Sequence, residues 1–160
     1  MVNGQIINGQ SRMANSAIQA FLRKHRQATL AVSADNIPHT AMVSYVWDSN
    51  PNGALVHLSN LAPHKRQLIN NPQCSLLVAE PDDGRAELMS LARVILQGTA
   101  AMLDKPSADY AMAKATFLAR LPSAEIMFGL PDFDLFRIAF TGGRYIAGFG
   151  RALVFTADEI

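Results

Sequence analysis

Three adjacent side chains that can carry positive charge, His64, Lys65 and Arg66, form the most distinctive cluster in the sequence. Pro63, directly before them, suits the first position of a helix, so all three are predicted to lie in the first turn of a short helix. The free backbone N–H groups and the positive end of the helix dipole favour an anion there. The cluster therefore predicts a phosphate or carboxylate site. The alternative is that Lys65 and Arg66 are ordinary surface residues and that His64 caps the helix.

Arg93 is the second candidate for binding an anion. It opens a strand that is otherwise apolar, with Val94, Ile95 and Leu96 after it. Either the arginine lies at an edge of the sheet and extends to water, or it is a buried cation that would pair with a bound anion. The residues alone leave both interpretations open.

Other site chemistries have no support in the residue types and their spacing. Four histidines are scattered along the chain with one cysteine, so no metal site is predicted: His25, His39, His57 and His64. Among them, His57 is predicted to be a structural or rim residue of its strand. Ser44 and Ser59 stand in no motif that would make either a nucleophile. No catalytic residue is assigned.

Composition and charge place the chain among globular proteins. Of its 160 residues, 49% are hydrophobic and 17% are charged, and the mean hydropathy is +0.10, which excludes an intrinsically disordered chain. The formal charge of +1 provides no field that would hold nucleic acid or an anionic membrane, so neither partner is expected. The length predicts a single domain over residues 1–160, with residues 1–10 as a loose N-terminal arm.

Two further features predict the compartment and the oligomeric state. The single cysteine, Cys74, lies in an apolar run, which is typical of a buried thiol in a reducing compartment. The chain has neither a secretory signal nor about 18 consecutive apolar residues, so a cytoplasmic protein is expected. An apolar composition with few charges in so small a chain predicts that a second copy covers part of the surface, as in a homodimer.

Hydrophobic periodicity predicts a mainly β fold with peripheral helices. Helices are predicted over residues 11–25, 60–72 and 106–121. In the second helix, Leu61, Leu68 and Ile69 are expected to face inward. Strands are predicted over residues 28–32, 40–47, 54–59, 74–79, 91–102, 133–140 and 145–155, with a turn at 141–144. Asn36 is expected to take the left-handed conformation in the turn after the first strand, and Gly98 is expected to mark a bulge or crowded point. Because most strands are joined by hairpins, the chain is predicted to form an antiparallel barrel of about seven strands, of the α+β class.

Several stretches resemble one protein family. Residues 58–78, which contain the His64 cluster, resemble the strand, helix and strand signature of the pyridoxamine 5'-phosphate oxidase-like FMN-binding split barrels. The resemblance is closest to the branch with the HugZ/HutZ-type haem-utilisation proteins. Residues 92–98 agree with it, as does the stretch from 117–124 through 132–133 to 148–152.

The resemblance implies a homodimeric split β-barrel that holds FMN at the subunit interface. In that arrangement the backbone around Met42, Val43 and Ser44 lies against the isoalloxazine ring, and Ser59 is among the cofactor-binding residues. The phosphate is surrounded by His64, Lys65, Arg66 and Arg93. The implied function is an FMN-dependent oxidoreduction of a small substrate, with the flavin supplying the chemistry.

Departures from the family pattern favour two alternatives. The true oxidases carry basic residues where this chain has Ala41 and Val46, which implies a substrate other than pyridoxine phosphate. One alternative is a haem-binding or haem-degrading protein, in which Arg93, Lys65 and Arg66 pair with the propionates, although no histidine follows His64 as an iron ligand. The other is a non-catalytic module that binds flavin or haem. Asp132 matches an acidic position of the haem-utilisation branch, and its role stays open.

Overall fold

The computed structural model describes residues 15–49, 52–148 and 152–160 of the chain. Within these residues, seven strands are present: β1 (Gln27–Ala34), β2 (Ile37–Ser49), β3 (Asn52–Ser59), β4 (Gln73–Ala79), β5 (Arg93–Met102), β6 (Phe133–Ile146) and β7 (Ala152–Thr156). Their order is β3-β2-β1-β4-β5-β6-β7, and every pairing is antiparallel. The added pairing of β3 with β6 closes six of the strands into a barrel, with β7 outside on β6. The predicted mainly β split barrel is confirmed.

Four helices lie around the barrel in the described residues: α1 (15–24), α2 (Pro63–Asn70), α3 (Ala108–Arg120) and α4 (Glu125–Phe128). Pro63 takes the first helical position of α2, as predicted. Ser107 caps α3 because its hydroxyl oxygen accepts a hydrogen bond from the Tyr110 N–H at 3.0 Å. None of the described helices is both long enough and apolar enough to cross a membrane.

The hydrophobic core has two parts, one on each face of the strands. Inside the barrel, alternate strand residues such as Leu30, Val56 and Leu96 pack with Ile18 and Leu22 from α1. Outside the barrel, a smaller cluster joins the outer faces of β2, β3 and β6 to α3: Val46, Leu55, Leu135, Ala113 and Phe117. The position of α3 is therefore fixed by apolar contacts with these three strands.

A buried ion triad adds to the attachment of α3. Arg137 on β6 donates one hydrogen bond to Asp48 on β2 and another to Asp109 on α3, each at 2.5 Å. Arg137 and Asp48 are both buried. The triad therefore ties two strands of the barrel to the first turn of α3.

The predicted turn at residues 141–144 is wrong. β6 continues through these residues to Ile146 and pairs there with β5 on one side and β7 on the other. The glycines permit the close approach, because a Cβ on Gly143 would lie 2.3 Å from the Ile95 carbonyl oxygen and one on Gly142 would lie 2.7 Å from that of Phe155. The paired glycines thus mark a crowded strand and not a reversal.

Other predictions about the elements had mixed outcomes. The prediction that Leu61 and Ile69 face inward is wrong, since they are 90% and 57% exposed, whereas Leu68 is buried. Asn36 has the predicted left-handed backbone, and Asp35 shares it. The predicted arm at residues 1–10 and the first residues of the first helix lie outside the described residues. The single-domain boundary stays a prediction.

Candidate functional site

A cavity of about 220 Å³ lies on the outer face of β2 and β3, under the segment that runs from α3 to α4. Five of the eight predicted cofactor-binding residues line it: Met42, Val43, Ser44, Ser59 and His64. The remaining wall is mostly apolar and comes from β3, α3, α4 and the residues between the two helices: His57, Leu58, Phe117, Leu121, Ser123, Ala124 and Met127. The structure therefore brings together residues that lie more than 20 positions apart in the sequence.

Strand β2 contributes an edge of the cavity through alternating residues. Met42 and Ser44 point outward and are exposed, Met42 by 72%, whereas Val43 between them is buried in the barrel. Pairing with β1 places Met42 opposite Thr29 and Ser44 opposite Gln27. The backbone of residues 42–44 therefore has β1 beside it in the sheet, and the cavity lies over its outer face.

His64 lies in the first turn of α2 and contributes its imidazole to the cavity wall. Burial lowers the pKa of His64 below its ordinary value, so the ring is neutral at neutral pH. Ala62, the N-cap residue, provides no side-chain hydrogen bond to the helix, and Pro63 has no N–H. The first turn therefore lacks a side-chain cap, although the Lys65 N–H donates to the Ala62 carbonyl oxygen at 3.0 Å. It also presents an imidazole, which can donate, accept or ligate.

Lys65 is buried and is already engaged by protein oxygens. Its ammonium group donates to Asn60 Oδ1 at 2.5 Å, to Asp134 Oδ2 at 2.5 Å and to the Asp132 carbonyl oxygen at 3.2 Å. Burial acts against the charge of Asp134, but hydrogen bonds from Lys65 and Lys105 hold its pKa below the ordinary value. All three ammonium protons of Lys65 have partners, so this side chain joins α2 to the start of β6.

Ser59 and Asp132 belong to the same polar network. The Ser59 hydroxyl donates to Asp132 Oδ2 at 2.7 Å and accepts from the Leu61 N–H at 3.1 Å. The Asn60 N–H donates to the Asp132 carbonyl oxygen at 2.8 Å. Asp132 therefore holds the turn between β3 and α2, and with it the first turn in which His64 lies.

The two predicted arginines lie outside the lining of this cavity. Arg66 is exposed on α2. Arg93 is half-buried on β5, opposite Ala79 on β4, and its guanidinium donates to the carbonyl oxygens of Leu91 at 3.0 Å and Met89 at 3.3 Å. Arg93 is therefore neither an arginine that extends to water nor a fully buried cation, because it is half-buried and donates to backbone carbonyl oxygens.

A larger cavity of about 560 Å³ adjoins the first and shares Ser44 and Leu121 with it. It is bordered by the end of α1 and by β1 and β4, and Ala79, the strand partner of Arg93, lies in its wall. Lys24 and Arg26 contribute cationic side chains to it. The sequence analysis did not assign these two residues, although cations clustered between the end of a helix and a strand were a signal that could have indicated them.

His57 belongs to the wall of the 220 Å³ cavity and was predicted from the sequence to be a structural or rim residue, not a ligand-binding one. Its ring stacks on Phe128 with 3.8 Å between centroids, and Phe133 lies 5.0 Å away. Both ring nitrogens are buried and have no hydrogen-bond partner among the described residues. Burial lowers the pKa of His57 to about 4, so the ring is neutral under the stacked aromatic cover.

Comparisons with known proteins agree with this architecture. The haem oxygenase HutZ of Vibrio cholerae is 29% identical over 147 residues, which cover 89% of this chain and 81% of HutZ. The non-canonical haem oxygenase HOZ of Arabidopsis thaliana is 31% identical over 128 residues, covering 79% of this chain but only 37% of HOZ. A solved haem-binding protein from Mycobacterium smegmatis shares the fold at a TM-score of 0.77 and 23% identity, with 88% of this chain and 57% of that chain covered.

The family model described as pyridoxamine 5'-phosphate oxidase matches residues 14–147, which is most of the chain. This match includes β1 to β6, the helices beside them and every residue of the cavity wall. The resemblance inferred from the residues is confirmed by it. The chain therefore belongs to the pyridoxamine 5'-phosphate oxidase family, as a split barrel close to the branch that contains HutZ.

Proposed function

We propose that this protein binds haem at the two adjoining cavities and acts in haem utilisation. The observation that carries the proposal is the neutral imidazole of His64 in a mostly apolar cavity wall. A neutral imidazole is the form that ligates iron, and an apolar wall suits a porphyrin face. The names of the two curated relatives, both haem oxygenases, support the same function.

The dimensions and charges of the site are compatible with a ligand of this kind. The cavity of about 220 Å³ is smaller than the roughly 300–1,000 Å³ of ordinary ligand sites, so a porphyrin or a flavin has to extend across Ser44 into the cavity of about 560 Å³. Lys24 and Arg26 in that second cavity provide cations for carboxylates beside the one acidic residue of its wall, Glu80. Arg93 is the strand partner of Ala79, which lines the same cavity. Haem would supply the iron at which oxygen chemistry takes place.

FMN is the second candidate, and a different observation favours it. The first turn of α2 has no side-chain cap, and the exposed Arg66 lies in it, which together suit a phosphate. In this arrangement the backbone of Met42, Val43 and Ser44 would lie along the isoalloxazine ring, next to Ser59 and His64. The activity would be an FMN-dependent oxidoreduction of a small substrate, or flavin binding without turnover.

A homodimer is part of the proposal because one row of outward side chains crosses six strands. The register aligns Met42, Thr29, Leu77, Ile95, Arg144 and Val154. Met42, Leu77 and Val154 are 72%, 37% and 70% exposed in a single chain. This row is apolar at four of its six positions, the exceptions being Thr29 and Arg144, and an exposed apolar row is typical of a surface that another subunit covers. Its residues Thr29 and Leu77 line the larger cavity, and Met42 lines the smaller one.

A reducing, cytoplasmic location is also proposed, because the chain has a single cysteine. Cys74 is a half-buried free thiol on β4, and burial raises its pKa to about 11. The thiol is therefore protonated and unreactive at neutral pH. A chain that relies on such a thiol and on no disulfide suits a reducing compartment.

Titration of the purified protein with haemin and, separately, with FMN tests the function, with visible spectra as the readout. We expect a saturable Soret band with haemin, and at least tenfold weaker haemin binding with a shifted band in His64→Ala. His39→Ala is the matched control, because His39 is an exposed histidine on β2 away from the cavity. Unchanged haemin binding in His64→Ala would contradict the haem site, and uptake of FMN without haemin would favour the second candidate.

A further inference from the structure

A separate cavity of about 300 Å³ lies at the other end of β2, between the last turn of α1 and the outer side of α3. It shares no lining residue with the 220 Å³ cavity and only His25 with the 560 Å³ cavity. Two exposed arginines, Arg23 and Arg120, are part of its wall, and no aspartate or glutamate is. The cavity is therefore a concave, cationic site whose two arginines the proposed function does not use.

The two arginines are held in place by neutral acceptors. Arg23 donates to Gln19 Oε1 at 2.8 Å and to Ser49 Oγ at 2.9 Å. Arg120 donates to the carbonyl oxygens of Arg23 and Lys24 at the end of α1. Among the described residues, neither guanidinium forms an ion pair with a carboxylate. These bonds orient the side chains and leave their positive charges without a counterion.

Trp47 and His25 also belong to the wall of the cavity. Trp47 is only 7% exposed, because its side chain is part of the core inside the barrel. The indole is held by stacking on Phe140, with 5.8 Å between the centroids and 5° between the planes.

We propose that this cavity binds a small carboxylate whose body is apolar and about the size of one aromatic ring. The carboxylate would pair with Arg23 and Arg120, since a guanidinium fork matches the geometry of a carboxylate. The body would pack on Val46, Trp47 and Ala119, which are apolar residues of the wall. A cavity of about 150 Å³ is enough for benzene, so 300 Å³ accommodates a ring with a carboxylate.

Benzoate is the probe, and Trp47 provides a local signal because it is the single tryptophan of the chain. We expect a saturable change in tryptophan fluorescence with benzoate, confirmed by calorimetry, and no such change with benzamide, which has the same ring without the charge. Arg23→Gln should weaken benzoate binding at least tenfold. Arg120→Lys, which keeps the charge but loses the planar fork, should weaken it several-fold.

The control variant is Arg85→Gln, which removes an arginine from the loop after β4 and should leave benzoate binding unchanged. Urea unfolding of each variant shows whether the barrel is intact, and Arg120→Lys serves if Arg23→Gln is unfolded. The proposal is overturned if benzoate gives no saturable signal by either method. It is also overturned if benzamide binds equally well, or if folded Arg23→Gln and Arg120→Lys both bind benzoate as the unmodified protein does.

Discussion

The cluster of His64, Lys65 and Arg66 is continuous in the sequence, but its three side chains lie in three different environments. Successive residues of an α-helix are rotated by about 100°, so three in a row cannot present their side chains to one point. In α2, His64 lines the cavity, Lys65 is buried against Asp134, and Arg66 is exposed. The predicted cluster of three positive charges is therefore one neutral imidazole, one internal ion pair and one surface cation.

Replacement of Lys65 tests this division at the residue scale. Lys65→Met leaves Asn60 without this donor and Asp134 with only the exposed Lys105 as a partner. We therefore expect a loss of about 3 kcal/mol in the free energy of unfolding, measured with urea. Lys105→Met is the matched control, since Lys105 pairs with the same carboxylate at 3.3 Å but is 46% exposed. That exposed pair should contribute at most about 1 kcal/mol. Equal effects of the two substitutions would contradict a structural role specific to Lys65.

His57 predicts a dependence of stability on pH. Its pKa is about 4 in the folded protein against 6.5 for the unperturbed group, because burial disfavours the charged ring. The unfolded chain therefore takes up the proton first, and the stabilisation present above pH 6.5 is lost as the pH falls toward 4. At about 1.4 kcal/mol per pKa unit, and allowing for partial exposure, we expect a loss of about 2 kcal/mol between pH 7 and pH 4.5.

The comparison of His57→Leu with His39→Leu isolates that contribution. His57→Leu should lose about 2 kcal/mol less stability on acidification than the unmodified protein, whereas His39→Leu should follow it. Burial also lowers the pKa values of His25 and His64, and both remain in each variant, so their effect cancels in the comparison. Parallel pH profiles for His57→Leu and the unmodified protein would contradict the prediction.

At the scale of elements, the barrel depends on how closely β5 and β6 approach each other. The register of this pair shifts between Gln97 and Gly98, as the predicted bulge or crowded point at Gly98 implies. A Cβ on Gly98 would lie 2.3 Å from the Ala139 carbonyl oxygen, which is backbone and is held by the paired strand. Closure of the barrel thus requires glycine at this position.

Gly98→Ala should therefore destabilise the protein by about 3 kcal/mol or more, because the strand backbone has to move to relieve the overlap. Gly129→Ala is the control, since its added Cβ would meet only the Ile126 carbonyl oxygen at 3.3 Å at the end of α4, where the backbone is helical. That change should alter the free energy of unfolding by less than about 1 kcal/mol. A Gly98→Ala variant as stable as the Gly129→Ala variant would contradict the prediction, because it would show that β5 and β6 can move apart without a loss of stability.

At the scale of the whole molecule, the apolar row across the sheet predicts association. Sedimentation should show one species of twice the 17.4 kDa chain mass. Leu77→Lys introduces a charge into the middle of the row and should shift the protein to the monomer at micromolar concentration. Met112→Lys is the control, because Met112 is 64% exposed on α3 and is not part of the row. A monomeric unmodified protein, or a dimer unaffected by Leu77→Lys, would remove the homodimer from the proposal.

Local patterns predicted most of the elements because each depends on neighbouring residues. Alternation predicted the strands, Pro63 predicted the start of α2, and Asn36 predicted the reversal between β1 and β2. The same reasoning was wrong at residues 141–144, where two glycines indicated a turn. Glycine marks both turns and crowded strands, and only the partners Ile95 and Phe155 distinguish the two.

The sequence by itself determined the family, the mainly β barrel and five of the residues that line the candidate cavity, since these depend on local pattern and on segments that resemble known proteins. Only the tertiary structure decided which charges are available. Lys65 is paired because β6 brings Asp134 to it across 69 positions of the chain, and His57 is neutral because α4 brings Phe128 over its ring. Charge state depends on burial and on partners, and both arise from contacts between distant segments.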